Sequence, residues 1–148
     1  MSLAVKPVEA DKLFIDFRHK WLRPGKPRKT SFFKGDSADS TYHFAALSNE
    51  KIIGIVSYFN KLNPLLEEKK LSYQLRSMAV DQSYRHQYIG HQILNVSLAF
   101  LKSKKIDFIW CNARKESYLF YQKQGFLSVG DYFVIPDVGQ HLLMYKNL

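Results

Sequence analysis

The chain has 148 residues, of which 46% are hydrophobic and 15% aromatic. This length and composition are typical of one folded domain, so we expect a single domain over residues 1–148 and no extended disorder. No apolar run reaches the roughly 18 residues of a membrane span, and the N-terminus lacks the apolar segment of a signal peptide, so we expect a cytoplasmic location without membrane contact. The one cysteine, Cys111, excludes an intramolecular disulfide and a multi-cysteine metal site, and we expect a buried, inert thiol and no bound metal.

The formal net charge is +9 at pH 7, and much of it is local. Between Arg18 and Lys34 the chain carries seven lysines and arginines and no acid. This segment is compatible with a solvated basic loop, with a patch that steers a phosphate-bearing cofactor or an acidic substrate, or with a nucleic-acid surface. No nucleic-acid motif accompanies the charge, so nucleic acid is the least favoured partner.

The first half of the chain alternates strand signals with one helix. Leu3 to Val8 predicts a strand, and Asp11 is a good N-cap for a helix. The apolar face predicted for that helix consists of Leu13, Phe14, Phe17 and Trp21. Strands are predicted over Tyr42–Leu47 and Ile52–Phe59, joined as a hairpin, and over Leu71–Val80. The longer predicted loops are 22–31 and 62–70.

The second half opens with the strongest helix signal in the chain. Its apolar stripe is predicted from Ile89, Ile93, Val96 and Phe100. A continuously apolar strand over Asp107–Ala113 suggests a central position in a sheet, and a helix over Lys115–Gln124 ends at Gly125 as a left-handed cap. Short final strands are predicted over Phe126–Val129, Tyr132–Ile135 and Leu142–Lys146. This order predicts an α/β fold with a mixed sheet and helices on both faces.

A donor-rich turn, Tyr84 to His91, joins the strand ending at Val80 to the strongest helix. The first amides of a helix have no internal partner and can bind an anion such as a pyrophosphate. Arg85 adds a charged donor, and Gly90 lets the backbone approach a ligand closely. Taken alone, the turn is also compatible with a purely structural role.

The strand Leu75–Val80 followed by Arg85–Gly90 resembles a signature of the GNAT superfamily of acetyl-CoA-dependent N-acetyltransferases. The loop pattern of that superfamily is Arg/Gln-x-x-Gly-x-Gly/Ala. Tyr88 occupies the position of the first glycine, and we expect it to keep a negative, helical φ.

A second stretch resembles another part of the same superfamily. It consists of Asn112-Ala113-Arg114, then Ser117, Phe120-Tyr121 and Gly125-Phe126, with Ser117 in place of the usual alanine. The ending, Gly139 to Lys146, is similar to the final strand of many members. The resemblance therefore covers roughly Gln74 to Lys146.

The resemblance implies a GNAT-type fold: a mixed, mostly antiparallel central sheet, splayed at the cofactor site, with helices on both faces. It implies acetyl-CoA as cosubstrate, with its pantetheine arm between the strands Arg76–Val80 and Phe108–Ala113. The cofactor-binding residues it implies are Met78, Ala79, Val80, Arg85, His86, Gln87, Tyr88, Ile89, Gly90, His91 and Asn112.

The same resemblance implies transfer of the acetyl group to a primary amine of a small molecule or peptide by direct attack, with Tyr121 near the sulfur as general acid. A phenol is protonated at neutral pH and can donate to a thiolate. Without the motif, a core aromatic on an amphipathic helix is the favoured interpretation of Tyr121. The strand Leu71–Val80 has no carboxylate to act as base; His43, Asp131 and His141 are candidates by type only, and the proton can also pass to solvent-linked groups.

Two other functions compete with this one. The missing carboxylate and Tyr88 are compatible with a GNAT-fold module that binds acyl-CoA without turnover, as a regulator or sensor. The basic segment Arg18 to Lys34 keeps open a nucleic-acid-binding protein. A homodimer is common in the fold, and no residue pattern identifies the acceptor.

Overall fold

The computed structural model describes residues 3–66 and 71–148; the last part of the predicted loop 62–70 lies outside them. The helices and strands are β1 Leu3–Val8, α1 Lys12–Leu22, β2 Tyr42–Ser48, β3 Lys51–Asn60, β4 Ser72–Val80, α2 Ile89–Ser103, β5 Phe108–Arg114, α3 Tyr118–Lys123, β6 Leu127–Ile135 and β7 Gly139–Asn147. Short 3-10 turns occur at Arg28–Ser31, Pro64–Leu66, Gln82–Tyr84 and Lys115–Ser117. In the described ranges, no helix has both the length and the apolar character needed to cross a membrane.

Most predicted elements are confirmed, with two differences at the C-terminal end. The predicted helix over Lys115–Gln124 begins as a 3-10 turn and becomes α-helical only at Tyr118. The two strands predicted on either side of Gly130 form the single strand β6. Its pairing with β7 shifts register between Val129 and Phe133, and Gly130 has φ 75°. The strand contains a bulge at the place where the sequence predicted a break between two strands.

The seven strands form one sheet in the order β1-β2-β3-β4-β5-β7-β6. Every neighbouring pair is antiparallel except β4 and β5. The parallel pairing joins only Ser72–Gln74 to Phe108–Trp110. Beyond those residues the two strands diverge, which confirms the predicted mixed, mostly antiparallel sheet with a splay at its centre. We call the opening between the end of β4 and the end of β5 the gap.

A bulge in β4 lies beside the gap. The register with β3 shifts between Ile55 and Ser57, where Ser77 has φ 61°. Before the bulge Leu75 belongs to the core under α2, and after it Met78 and Val80 pack against that same core. Ala79 instead belongs to the core under α1. The bulge therefore sets which side chains of the last residues of β4 face each helix.

Helix α1 covers one face of the sheet, and its cap is as predicted: the Asp11 side chain accepts a hydrogen bond from the Phe14 amide at 3.0 Å. The buried face is Phe14, Ile15, Phe17 and Arg18. The predicted member Leu13 is 66% exposed. Successive helical residues are rotated by about 100°, and this places Leu13 well outside the stripe that the other four define.

Helix α2 covers the opposite face, so helices on both faces are confirmed. Its buried residues are Ile89, Ile93, Leu94, Ser97, Leu98 and Leu101. The predicted member Val96 is 43% exposed, because the stripe centres on the Ser97 side of the helix. A Cβ on Gly54 of β3 would lie 2.6 Å from Cδ1 of Ile93, so this glycine lets the first turns of α2 rest closely on the sheet.

Candidate active site

The gap has walls of opposite character on the two faces of the sheet. On the α2 face, Tyr58, Cys111 and Tyr121 are buried in one apolar cluster; we call these three residues the apolar wall. On the α1 face, arginines come together around the gap and the loop that follows α1. We call Arg18, Arg23, Arg76 and Arg114 the charged wall. Side-chain alternation along β5 separates the two, since Cys111 and Ala113 belong to the apolar cluster and Arg114 follows them on the other face.

The loop before α2 has two residues in the left-handed region. His86 has φ 65°, and Tyr88, the N-cap of α2, has φ 62° and ψ 19°. The expectation of a negative φ at Tyr88 is therefore wrong. The chain must reverse here to start the helix, and the left-handed conformation does this at a position where the family pattern has glycine. Tyr88 is 78% exposed, so its ring forms no part of the core.

The amides that open α2 are available to a ligand. The first helical hydrogen bond of the segment runs from the Gln92 amide to the Tyr88 carbonyl at 3.0 Å, and the amides of Ile89, Gly90 and His91 precede it. Arg85, His86 and Gln87 are exposed around them. The Arg85 Nε donates to the Val80 carbonyl at 3.3 Å, which ties the guanidinium to the end of β4.

Two of the predicted cofactor-binding residues of this loop, His91 and Gly90, also have structural roles in the fold. The His91 ring donates from Nδ1 to Oε1 of Gln124 at 2.9 Å and accepts at Nε2 from Asn95 at 3.0 Å, so its ring is already engaged. A Cβ on Gly90 would lie 3.1 Å from the Phe120 ring and 3.3 Å from Cε of Met78. Gly90 therefore lets α3 and β4 pack against the start of α2.

Tyr121 is held by the way α3 ends. The Phe126 amide donates to the Tyr121 carbonyl and the Gly125 amide to the Gln122 carbonyl, both at 3.0 Å, with Gly125 at φ 91°. This is a Schellman motif, and it confirms the predicted glycine cap. The Phe126 ring meets the Tyr121 ring edge-on at 5.3 Å between centroids. Glycine and phenylalanine together fix the direction of the tyrosine.

The Tyr121 side chain is only 6% exposed. Its phenol forms no hydrogen bond to another group in the described part of the chain, and its oxygen keeps some contact with solvent, since it is not among the fully enclosed polar atoms that lack a partner. Burial raises the pKa of Tyr121 well above its ordinary value; the neighbouring Cys111 and Tyr58 add to the rise, and Arg114 opposes it. The phenol is therefore a protonated donor with no partner of its own.

The other members of the apolar wall are not reactive. Burial raises the pKa of the Cys111 thiol to about 12, which keeps it protonated, as expected for an inert thiol. The Tyr58 hydroxyl and the Ser97 hydroxyl share a hydrogen bond of 2.7 Å beneath α2. Of the two hydroxyls on this wall, that of Tyr121 is the one without a hydrogen-bond partner in the described residues.

Asn112 lies across the gap, half-buried on β5 opposite Leu143 of β7. On β4, Met78 and Val80 are half-buried at the edge of the gap, whereas Ala79 packs under α1. Past Gln74 the pairing with β5 has ended. The main chain of β4 can thus accept an added extended segment, as at other open strand edges.

A cavity of about 410 Å³ opens beside the charged wall. It is lined by Leu22, Arg23, Pro24, Lys26, Arg114, Pro136, Asp137 and Val138. These residues come from the loop after α1, the end of β5 and the turn between β6 and β7. The sequence shows no motif at any of the three places, so the cavity could not be assembled from the sequence.

Comparisons with known proteins agree with this geometry. A profile described as "Acetyltransferase (GNAT) family" matches residues 9–126. The chain is 32% identical over 146 residues to the "Uncharacterized N-acetyltransferase YitI" of Bacillus subtilis (strain 168), covering 99% of this chain and 97% of that protein. The chain belongs to the GNAT acetyltransferase family.

Solved structures of low sequence identity share the fold of this GNAT family member. An aminoglycoside 6'-N-acetyltransferase complexed with coenzyme A matches with a TM-score of 0.73 at 14% identity, over 97% of this chain and 96% of that one. A GNAT-family acetyltransferase from Streptococcus pneumoniae matches with a TM-score of 0.71 at 18% identity, over 99% of both chains. Family and fold together indicate an N-acetyltransferase.

The three candidate bases of this GNAT protein differ in availability. His43 is buried with both ring nitrogens engaged, by the Ser57 hydroxyl at 2.7 Å and the Asp36 carbonyl at 2.8 Å. Asp131 is exposed in the irregular part of β6. His141 is also buried; it donates from Nδ1 to the Gly139 carbonyl at 2.7 Å, and its Nε2 has no hydrogen-bond partner among the described residues. His141 is also the ladder partner of Arg114, which lines the cavity.

The basic segment of the GNAT domain is not a uniformly solvated loop. Arg18 is fully buried and binds both carboxylate oxygens of Asp36, at 2.8 and 3.0 Å, and the Ser57 hydroxyl at 3.1 Å. The guanidinium groups of Arg18 and Arg76 each lie 4.1 Å from the centroid of the Phe33 ring. Sequence reasoning missed this network; the available signal was that Arg18 follows Phe14 by one helical turn on the buried face.

The charges of the wall act on one another. Burial, the charge of Arg18 and the charge of Arg23 lower the pKa of Arg76, while Asp36 opposes this.

In the described residues, no three His, Cys, Asp or Glu side chains cluster as metal ligands do.

Proposed function

We propose that this GNAT protein transfers an acetyl group from acetyl-CoA to a primary amine by direct attack, with Tyr121 as the general acid. The observation that carries the proposal is the protonated, unpartnered phenol of Tyr121 at the gap, where β4 and β5 separate. A tyrosine that only filled the core would be expected to direct its hydroxyl to a buried partner, as Tyr58 does with Ser97.

The chain has groups suited to hold the parts of acetyl-CoA, whose thioester supplies the activated acetyl group. The free amides of Ile89, Gly90 and His91, with Arg85 beside them, suit the pyrophosphate. The loop residues His86, Gln87 and Tyr88 surround that position. The unpaired edge of β4 over Met78, Ala79 and Val80 suits the pantetheine arm, with Asn112 facing it from β5.

Tyr121 would act on the leaving sulfur. As the amine nitrogen bonds to the acetyl carbon, the carbon–sulfur bond breaks and the phenol hydrogen-bonds and protonates the sulfur. Burial of Tyr121 disfavours phenolate, but the same dry surroundings disfavour a free thiolate, so the proton is shared where both anions are costly. Main-chain donors at the end of β4 would stabilise the oxyanion.

The proton lost by the amine would go to His141 or to water. Of the three candidates, His141 alone combines a fixed tautomer with an available Nε2 and a place beside the cavity. His43 is withdrawn from this role because both of its nitrogens are hydrogen-bonded.

A second candidate function is an acyl-CoA-binding regulatory or sensor module without turnover. The non-glycine Tyr88 favours it, because a side chain stands where the family pattern has a glycine that lets the backbone approach a phosphate closely. The absence of a carboxylate along residues 72–80 of β4 is a further argument for it.

The deciding experiment measures binding and turnover on one preparation. Calorimetry would give the affinity for acetyl-CoA, and thiol release together with mass spectrometry of the amines would report turnover. We expect both binding and an acetylated product. Binding without product from any acceptor class would identify the non-catalytic module, and no binding would refute the cofactor assignment itself.

The domain count, the cellular location, the homodimer and the nucleic-acid alternative stay predictions. One continuous sheet supports a single domain over residues 1–148. Cytoplasmic location is tested by fractionation, a homodimer by light scattering, and the nucleic-acid alternative by salt-dependent retention on DNA or RNA.

A further inference from the structure

The cavity beside the charged wall is a built site with an excess of positive charge. Two arginines and one lysine line it, against one carboxylate, Asp137. Arg23 and Lys26 come from the loop after α1, and Arg114 comes from the end of β5. Positive groups from distant parts of the chain thus converge on one concave surface of a size usual for small-molecule sites.

The three cations are not neutralised by acids within residues 3–66 and 71–148. The ion pairs there involve Lys12, Arg18, Arg28 and His43. Arg23 donates from Nε to the Thr30 hydroxyl at 2.8 Å, which orients its guanidinium without cancelling its charge. Lys26 and Arg114 are exposed on the cavity lining. The cavity therefore keeps its charge for a ligand.

The positive surface reaches the reacting groups of the proposed site. Arg114 lines the cavity and directly follows Ala113, which packs in the same apolar cluster as Tyr121, and the charge of Arg23 helps to lower the pKa of Arg76 on β4. Arg76 itself stands on the strand that would hold the pantetheine arm and has no acidic neighbour on that strand. A molecule in the cavity would thus lie beside the end of β5, one of the two strands that bound the gap.

We propose that this cavity binds the acceptor through an anionic group, a carboxylate or a phosphate, carried by the same molecule as the amine. The inference rests on the proposed transferase function and adds the class of acceptor. Charge-assisted hydrogen bonds from arginine to such a group are the strong, directional kind that can orient a small substrate. Polyamines and aminoglycosides would be repelled by the same surface.

The arrangement also bears on the missing carboxylate of β4. Cations around the amine disfavour its ammonium form, so the bound acceptor would lose its proton more readily than in water. Anchoring the anionic group at the arginines then holds the neutral nitrogen for attack. A polycationic acceptor would have neither the anchor nor this assistance.

The test compares matched acceptors in the thiol-release assay. The panel contains the common α-amino acids and their amides, phosphoethanolamine and ethanolamine, and spermidine. We expect kcat/KM for the best anionic acceptor to exceed that of its neutral match by about 10- to 100-fold, the range for a hydrogen bond to a charged group. The acid–amide and phosphate–alcohol pairs separate the two kinds of anion.

Substitutions of single cavity arginines test whether the preference for an anionic acceptor arises at the cavity. Arg114→Gln and Arg23→Gln should each raise KM for the anionic acceptor by about 10-fold or more and leave KM for acetyl-CoA and for the neutral match nearly unchanged. Lys29→Gln is the matched control, since Lys29 is an exposed cation of the same segment outside the cavity. Thermal unfolding would verify that each variant is folded.

Several outcomes would overturn the inference while leaving the transferase function intact. They are equal use of acids and amides, preference for spermidine, and a rise in KM for acetyl-CoA in place of the acceptor, which would assign the cations to the cofactor phosphates. Absence of turnover with every acceptor, despite binding of acetyl-CoA, would overturn both proposals together.

Discussion

The apolar wall and the charged wall bound the same gap, yet they differ in how they are built. The apolar wall consists of uncharged side chains in a continuous core, and its one unengaged polar group is the phenol of Tyr121. The charged wall depends on long-range pairs, such as Arg18 with Asp36, and on loops from distant parts of the chain. The difference suggests that the first wall carries the chemistry shared with the family and the second carries the choice of acceptor.

The largest expected effect is on kcat, from removal of the one phenol of the apolar wall that has no hydrogen-bond partner. Tyr121→Phe should lower kcat by about 1,000-fold, within the usual range for loss of a general acid, with little change in stability because no hydrogen bond is lost. Steady-state kinetics and chemical unfolding would measure the two quantities. Full turnover by this variant would refute the acid role.

Tyr58→Phe is the matched control. It removes a buried hydroxyl that does have a partner, so we expect a loss of about 1 kcal/mol in the free energy of unfolding with kcat nearly unchanged. If Tyr58→Phe lowered kcat and Tyr121→Phe lowered only the free energy of unfolding, Tyr58 and not Tyr121 would be the general acid.

On the charged wall, Asp36→Asn should leave the fully buried Arg18 without its counter-ion. We expect a decrease of about 3 kcal/mol in the free energy of unfolding, as is usual when one partner of a buried pair is removed. Urea unfolding would measure it. For comparison, Lys12→Gln breaks an exposed pair and should have little effect. Equal effects would show that burial does not distinguish these pairs.

Tyr88 lies in the loop that we propose to hold the cofactor phosphates, and its substitution should have a smaller effect. Because its φ is 62°, Tyr88→Gly should be more stable than Tyr88→Ala by about 1 kcal/mol, although both remove the exposed ring. Calorimetry with acetyl-CoA would show whether the relaxed loop also binds more tightly. Identical stabilities of the two variants would contradict strain at this position.

The smallest effect concerns His43 beneath the charged wall. Burial lowers the pKa of His43, so the folded protein holds it neutral while the unfolded chain takes up a proton near pH 6.5. Its contribution is therefore present above about pH 6.5 and lost as pH falls. The free energy of unfolding, measured at pH 7.5 and 5.5, should show this loss. His43→Gln should reduce the slope of that free energy against pH. An unchanged slope would mean that other groups dominate.

The sequence predicted the apolar wall far better than the charged one, for physical reasons. Strand and helix bounds, the Gly125 cap and the place of Tyr121 follow from local periodicity and turn chemistry. Errors arose where a neighbouring stripe competed, as at Leu13 and Val96, or where tertiary closure imposed a left-handed backbone, as at Tyr88. The cavity joins Arg23 to residues more than ninety positions along the chain, and no local pattern encodes such a meeting.

The bulge at Ser77 shifts the alternation of side chains along β4 by one residue. An unbroken strand sends alternate side chains to alternate faces, so one additional residue reverses the order for everything that follows it. If Ser77 stood in a regular strand in place of the bulge, Met78 and Val80 would move to the face of α1 and Ala79 would turn toward α2, with the first half of β4 unchanged. One residue thus determines which face of the sheet each of the last three side chains of β4 belongs to.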